Sequence, residues 1–158
     1  MTPITSSGNK TAERIDPFAT FKFFVEVDGI VGAEFTDCSG LEQTIDVFDY
    51  QEGGLNERSH KLPGKIKLSN ITLKRGFATS NELYDWYKKL WEDLSTGKGI
   101  TYKTVTIWFY NSAVPDDKMS WTLRDAFPVK WQGPAFKTGE AAIAVETLEF
   151  AHHGIQVE

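Results

Sequence analysis

One stretch of this chain, and only one, repeats its apolar residues at helical spacing. Leu83, Tyr87, Leu90 and Leu94 recur every three or four residues, and Trp86 and Trp91 widen the stripe. Thr79-Ser80-Asn81-Glu82 ahead of it fits a capping box, with Thr79 as N-cap and Glu82 at N3, and Gly97 supplies a stop. The spacing predicts a helix over residues 80–95 whose packing face is Leu83, Trp86, Tyr87, Leu90 and Leu94. Around it the sequence alternates with period two. Phe21, Phe23, Val25 and Val27 face one way, and Asp28-Gly29 is a strong hairpin signal before a return strand from Ile30 to Thr36. Leu41–Tyr50, Lys65–Arg75, Val105–Tyr110, Met119–Arg124 and Ile143–Ala151 read as further strands, with a turn at Val114-Pro115-Asp116-Asp117. Residues 127–136 hold two prolines and a glycine and read as irregular or as an edge. The expected fold is mainly β (α+β): an antiparallel β-barrel or sandwich of about eight strands with one flanking helix.

Two segments break the alternation. In Lys65–Arg75 the apolar set moves from Ile66 and Leu68 to Ile71 and Leu73, and near the C-terminus it moves from Ile143 and Val145 to Leu148 and Phe150. A bulge accounts for such a switch, and so does a strand covered on different faces along its length. Residues 51–64 contain Gly53-Gly54 and Pro63-Gly64 and read as a loop, unusually long for a compact chain and therefore a functional candidate. Residues 1–16 are polar and read as a flexible N-terminal arm, which leaves 17–158 as a single domain.

Composition narrows the function. Eleven Phe, five Tyr and five Trp make 13% of the 158 residues, more rings than a chain of this size readily buries, so some are expected at a partner. A net charge of −5 without a basic stripe argues against nucleic-acid binding. Cys38 is the single cysteine, so no internal disulfide can form, as suits folding in the bacterial cytoplasm. The first residues lack the apolar core of a signal peptide, and no apolar run reaches the roughly 20 residues of a membrane span. Chemistry is equally unpromising. His152 and His153 are adjacent in a strand and point apart, His60 lacks partners at ligand spacing, and Cys38 reads as a small buried hydrophobe. No Gly-x-Ser-x-Gly elbow occurs, and Gly97-Lys98-Gly99 follows a helix instead of opening one. No catalytic, metal or cofactor site is expected.

From Phe18 onward the chain resembles the tail tube proteins of contractile phages and the inner tube proteins of extracellular contractile injection systems. The resemblance rests on an ordered series: Phe-Lys-Phe-Phe-Val-Glu-Val-Asp-Gly (21–29), Cys-Ser-Gly-Leu (38–41), Asp-Tyr-Gln-Glu-Gly-Gly (49–54) and Lys-Leu-Pro-Gly (61–64). It continues through Ile-Thr-Leu-Lys-Arg-Gly (71–76), Leu-Tyr-Asp-Trp (83–86), Trp121, Ala-Phe-Pro (126–128) and Ala-Val-Glu-Thr-Leu-Glu-Phe (144–150). The resemblance implies a fold shared with the type VI secretion tube protein, and hexameric rings that stack into a hollow tube. The implied partners are the protein itself, sheath subunits and baseplate or spike adaptor proteins, with cargo possible in the lumen. The implied location is a phage tail or phage-tail-like particle. It also implies that a loop between early strands reaches the neighbouring ring. The residues matching that loop are Tyr50, Glu52, Gly53, Gly54, Leu55, Asn56, His60, Lys61, Leu62, Pro63 and Gly64. A tube-initiating or baseplate-adaptor protein of the same machine is the alternative, and a small ligand-binding β-barrel a further one.

Overall fold

The computed structural model describes residues 21–28, 30, 35–51, 53–54, 59–77, 80–111, 114–139 and 143–158. The expected N-terminal arm lies outside the described residues. Nine strands and one helix follow in the order β1 (Phe21–Val27), β2 (Asp37–Ser39), β3 (Gln43–Tyr50), β4 (His60–Leu68), β5 (Ile71–Gly76), α1 (Glu82–Thr96), β6 (Lys103–Asn111), β7 (Val114–Gln132), β8 (Val145–Ala151) and β9 (Ile155–Val157). Seven of the strands form one antiparallel sheet, ordered β1-β6-β7-β8-β5-β2 with β9 also on β7. Among the described residues the other two, β3 and β4, pair only with each other.

β7 makes the large sheet fold over on itself. Its first half pairs with β6 and β9, and its second half with β8. Between the halves, Arg124 and Asp125 stand opposite Thr104 alone, and Asp125 adopts a left-handed φ of 51°. An extra residue in one strand sharpens its bend. The two halves therefore face each other in a sandwich-like arrangement, not a closed barrel. Val25, Val27, Val105, Ile107 and Leu123 from one half meet Ile71, Leu73, Leu148 and Phe150 from the other in a single core.

Several sequence expectations change here. Lys65–Arg75 is not one strand: β4 ends at Leu68, and β5 starts at Ile71 in a different sheet, which explains the change of face. β8 does not switch faces at all. Ile143 and Val145 are exposed, and the core side of β8 is Glu146, Leu148 and Phe150. Residues 127–132 continue β7, and Pro128 sits beside a second bulge, a place where a strand tolerates proline. β7 already begins at Val114, so the reversal falls between the paired residues Asn111 and Val114, ahead of the expected turn. The Asp28-Gly29 signal yields a bridge between Val27 and Ile30, but the long partner of β1 is β6; residues 31–34 of the expected return strand lie outside the described residues. β2 and β9 have no counterpart in the sequence reading.

The helix starts later than the capping box suggests. Asn81 is the N-cap and its side chain makes no capping bond, Glu82 is the first helical residue, and Thr79 lies outside the described residues. Gly97 ends α1 with a φ of 69°, and the amides of Gly97 and Lys98 both donate to the Asp93 carbonyl.

Candidate self-assembly surfaces

The β3–β4 hairpin is apolar on exposed ground. Ile45, Val47, Phe48, Tyr50, Leu62 and Ile66 are all 51–67% exposed. Ile45 lies opposite Ile66, Phe48 opposite Leu62, and Tyr50 opposite His60. Such cross-strand pairs hold the ribbon together, but a two-stranded ribbon is marginal in water by itself. The ladder shifts between Ile45 and Val47, where Gly64 and Lys65 stand opposite Asp46 alone, and the Phe48 ring lies over Gly64 where a Cβ would come within 2.3 Å of it. Pro63 pairs with Val47 and Gly64 belongs to the bulge, so both are strand residues inside β4, not loop residues. The same holds for His60, Lys61 and Leu62, so the strands reach farther than the sequence suggests and the connection shrinks to residues 51–59. Gly53 and Gly54 form its turn, Gly54 at a φ of 122°; Glu52, Leu55 and Asn56 lie outside the described residues.

α1 offers a second surface. Leu83 and Trp86 are buried, Trp86 with its ring 6.1 Å from that of Phe150, and Tyr87 and Leu90 are half-buried. Burying each of the first two side chains stabilises the fold by about 1.5–3 kcal/mol. The packing face then ends. Asp93 takes the buried position of the next turn, with Lys89 at 3.5 Å, whereas Leu94 is 61% and Trp91 62% exposed. The buried face in this turn runs through Asp93 and not through Leu94, which leaves an apolar pair facing outward. Among the described residues nine aromatic rings are exposed, six on the hairpin, the helix and the sheet and three (Phe77, Tyr102 and Phe136) on connections. That is where the aromatic excess of the sequence goes.

The T4-like virus tail tube protein gp19 family matches residues 19–156. The chain belongs to this family. No curated protein matches it in sequence. A chain from the sheath–tube complex of an extracellular contractile injection system, PVC, is 28% identical with a TM-score of 0.75, covering 90% of this chain and 91% of that one. A chain from the tube-terminating cap of the anti-feeding prophage is 25% identical with a TM-score of 0.76, covering 98% and 99%. Hcp1 from Salmonella typhimurium, 13% identical with a TM-score of 0.53 over 87% and 91%, shares the fold.

The tube protein holds its polar groups in structural roles. The Cys38 thiol, on β2 against the core, is pushed up from 9.0 to about 11 by burial and then by the Asp37 carboxylate, so it is no nucleophile at neutral pH. His152 and His153 do lie in opposite settings: the first is buried against the Ser69 carbonyl, the second exposed 3.5 Å from Asp125. Among the described residues no three His, Cys, Asp or Glu gather as metal ligands, and no helix is long and apolar enough to cross a membrane. Clefts open on the surface among the described residues. One, of about 640 Å³, lies among Lys74, Phe136, Lys137, Ile143 and Val145; another, of about 630 Å³, lies among Phe24, Trp108, Tyr110, Asp116 and Lys118.

Proposed function

We propose that this tail tube protein forms hexameric rings that stack into the hollow inner tube of a contractile, phage-tail-like injection particle, and that the β3–β4 hairpin is the stacking element. The observation that carries the reading is the hairpin itself. It exposes six large apolar side chains on a ribbon that, among the described residues, has two strands, and a surface like that is stable once another copy covers it. A head-to-tail contact of this kind repeats along an axis instead of closing on itself, as a tube requires. Sheath and baseplate proteins are the further partners, by analogy with the assemblies in which similar chains occur, and the protein performs no catalysis. The second reading is a tube-terminal or adaptor subunit, supported by the nearly complete overlap with a chain of the anti-feeding prophage cap.

The test is the double variant Phe48→Ser, Leu62→Ser. Both residues are exposed in the single chain, so its own stability should change by less than about 1 kcal/mol. Electron microscopy of the purified variant should show rings without stacked tubes. Long tubes would remove the hairpin from the stacking contact. A wild-type protein that forms rings yet never elongates would favour the terminal reading.

A further inference from the structure

The root of the hairpin is fastened to the body from one direction, and the fastening uses a histidine that no other role explains. Two short connections join the hairpin to the sheet: Gly40–Glu42 before β3, and Ser69–Asn70 after β4. They meet backbone to backbone. Gly40 has a φ of 93°, and a Cβ there would fall 2.0 Å from the Asn70 carbonyl oxygen, so only glycine fits. The Ser69 amide donates to the Glu42 carbonyl at 3.2 Å and closes the root.

The body grips this root through β8 and the bend that follows it. The Asn70 side-chain amide donates to Glu149 Oε1 at 2.8 Å. Nε2 of His152, which is 5% exposed, lies 3.1 Å from the Ser69 carbonyl, and the Gly154 amide donates to His152 Nδ1 at 3.3 Å. A carbonyl only accepts and an amide N–H only donates, so the neutral imidazole with its hydrogen on Nε2 satisfies both. The ring is thereby held in one orientation between the β8–β9 bend and the hairpin root.

We infer that His152, together with Asn70, sets the angle at which the hairpin leaves the body and so presents it in register to the next ring. This rests on the stacking role proposed above. Leverage makes the root matter: β4 has 9 residues. At about 3.3 Å per residue it extends roughly 30 Å, so a turn of about 10° at the root moves the tip by roughly 5 Å. His152 is a positioning residue here. It acts through Ser69.

The test measures the angle directly. In the full chain with Cys38→Ala, spin labels at Lys65→Cys on β4 and Lys88→Cys on α1 report the hairpin-to-body distance by pulsed electron paramagnetic resonance, and microscopy reports stacking. The wild-type root should give a narrow distance distribution. His152→Phe, which keeps the ring volume and loses both hydrogen bonds, should broaden it and yield rings without tubes. His152→Gln, whose amide nitrogen can reach the Ser69 carbonyl, should restore both. Asn70→Ala, an exposed change that threatens folding little, should broaden the distribution too. Narrow distributions in both His152→Phe and Asn70→Ala would overturn the inference. The stacking role itself is judged separately on Phe48→Ser, Leu62→Ser, whose root is intact: tubes in that variant sink the stacking role, whatever the distances at the root.

Discussion

Glu146 faces the core from β8 and is 2% exposed. Its Oε2 receives Arg75 Nε at 2.9 Å and its Oε1 receives Trp131 Nε1 at 2.7 Å, while Arg75 Nη2 donates to the Ser80 carbonyl at 3.2 Å. One carboxylate therefore ties β8 to β5, to β7 and, through Arg75, to the entry of α1. A buried pair of this kind stabilises little over apolar replacements, but breaking it strands a charge. Glu146→Gln should cost about 3–5 kcal/mol of unfolding free energy because Arg75 keeps its charge without a counter-ion. Glu146→Leu combined with Arg75→Met should cost clearly less than the sum of the two single changes. Urea unfolding of the four proteins completes the cycle, and additive losses would show that the two residues do not act as a pair. This charge is also where the strand pattern misleads. A carboxylate at a core position reads as a surface residue, so the pattern reads as a switch of face from Ile143 and Val145, which are exposed, to Leu148 and Phe150.

At the scale of elements, local signals decided what could be read. The left-handed stop at Gly97 is visible in sequence because glycine takes a φ of 69° without strain. Nothing lies within 4 Å of a Cβ built there, so Gly97→Ala tests backbone strain alone. It should cost about 1 kcal/mol, seen as a small drop in the thermal midpoint with the helical circular dichroism retained. An unchanged midpoint would mean that the helix end relaxes into another cap. The hairpin was harder to read. Pro63-Gly64 carries a turn signature, and only pairing with β3 shows it to lie inside a strand, Pro63 opposite Val47 and Gly64 in a bulge with Phe48 lying over it. The helix stripe likewise runs one turn too long by spacing, since in the last turn Asp93 and not Leu94 takes the buried place. Leu94 belongs to the stripe by spacing and to the surface by position.

For the whole molecule, the mainly β class and the single inserted helix were legible, because period-two and period-3.6 patterns rarely mimic each other over long segments. Sandwich against barrel was not, since that choice rests on the bend at Arg124–Asp125, and no residue type there announces it. The surface argues for assembly as a thermodynamic property of the native state. Apolar side chains stand exposed on the hairpin, on α1 at Trp91 and Leu94, and on the sheet at Phe24 and Trp108. Contacts that form only between folded copies stabilise the fold by mass action. The thermal midpoint of the wild-type protein should therefore rise with concentration across the range in which rings and tubes appear. Phe48→Ser, Leu62→Ser removes stacking but leaves ring contacts, so its midpoint should rise less steeply and stop rising once rings are complete. Scanning calorimetry over a dilution series, paired with light scattering on the same samples, separates the two contributions. A wild-type midpoint independent of concentration while tubes form would mean that the tube adds nothing to the stability of its subunit, and that the exposed apolar surface of the single chain is kept for the sheath or baseplate instead.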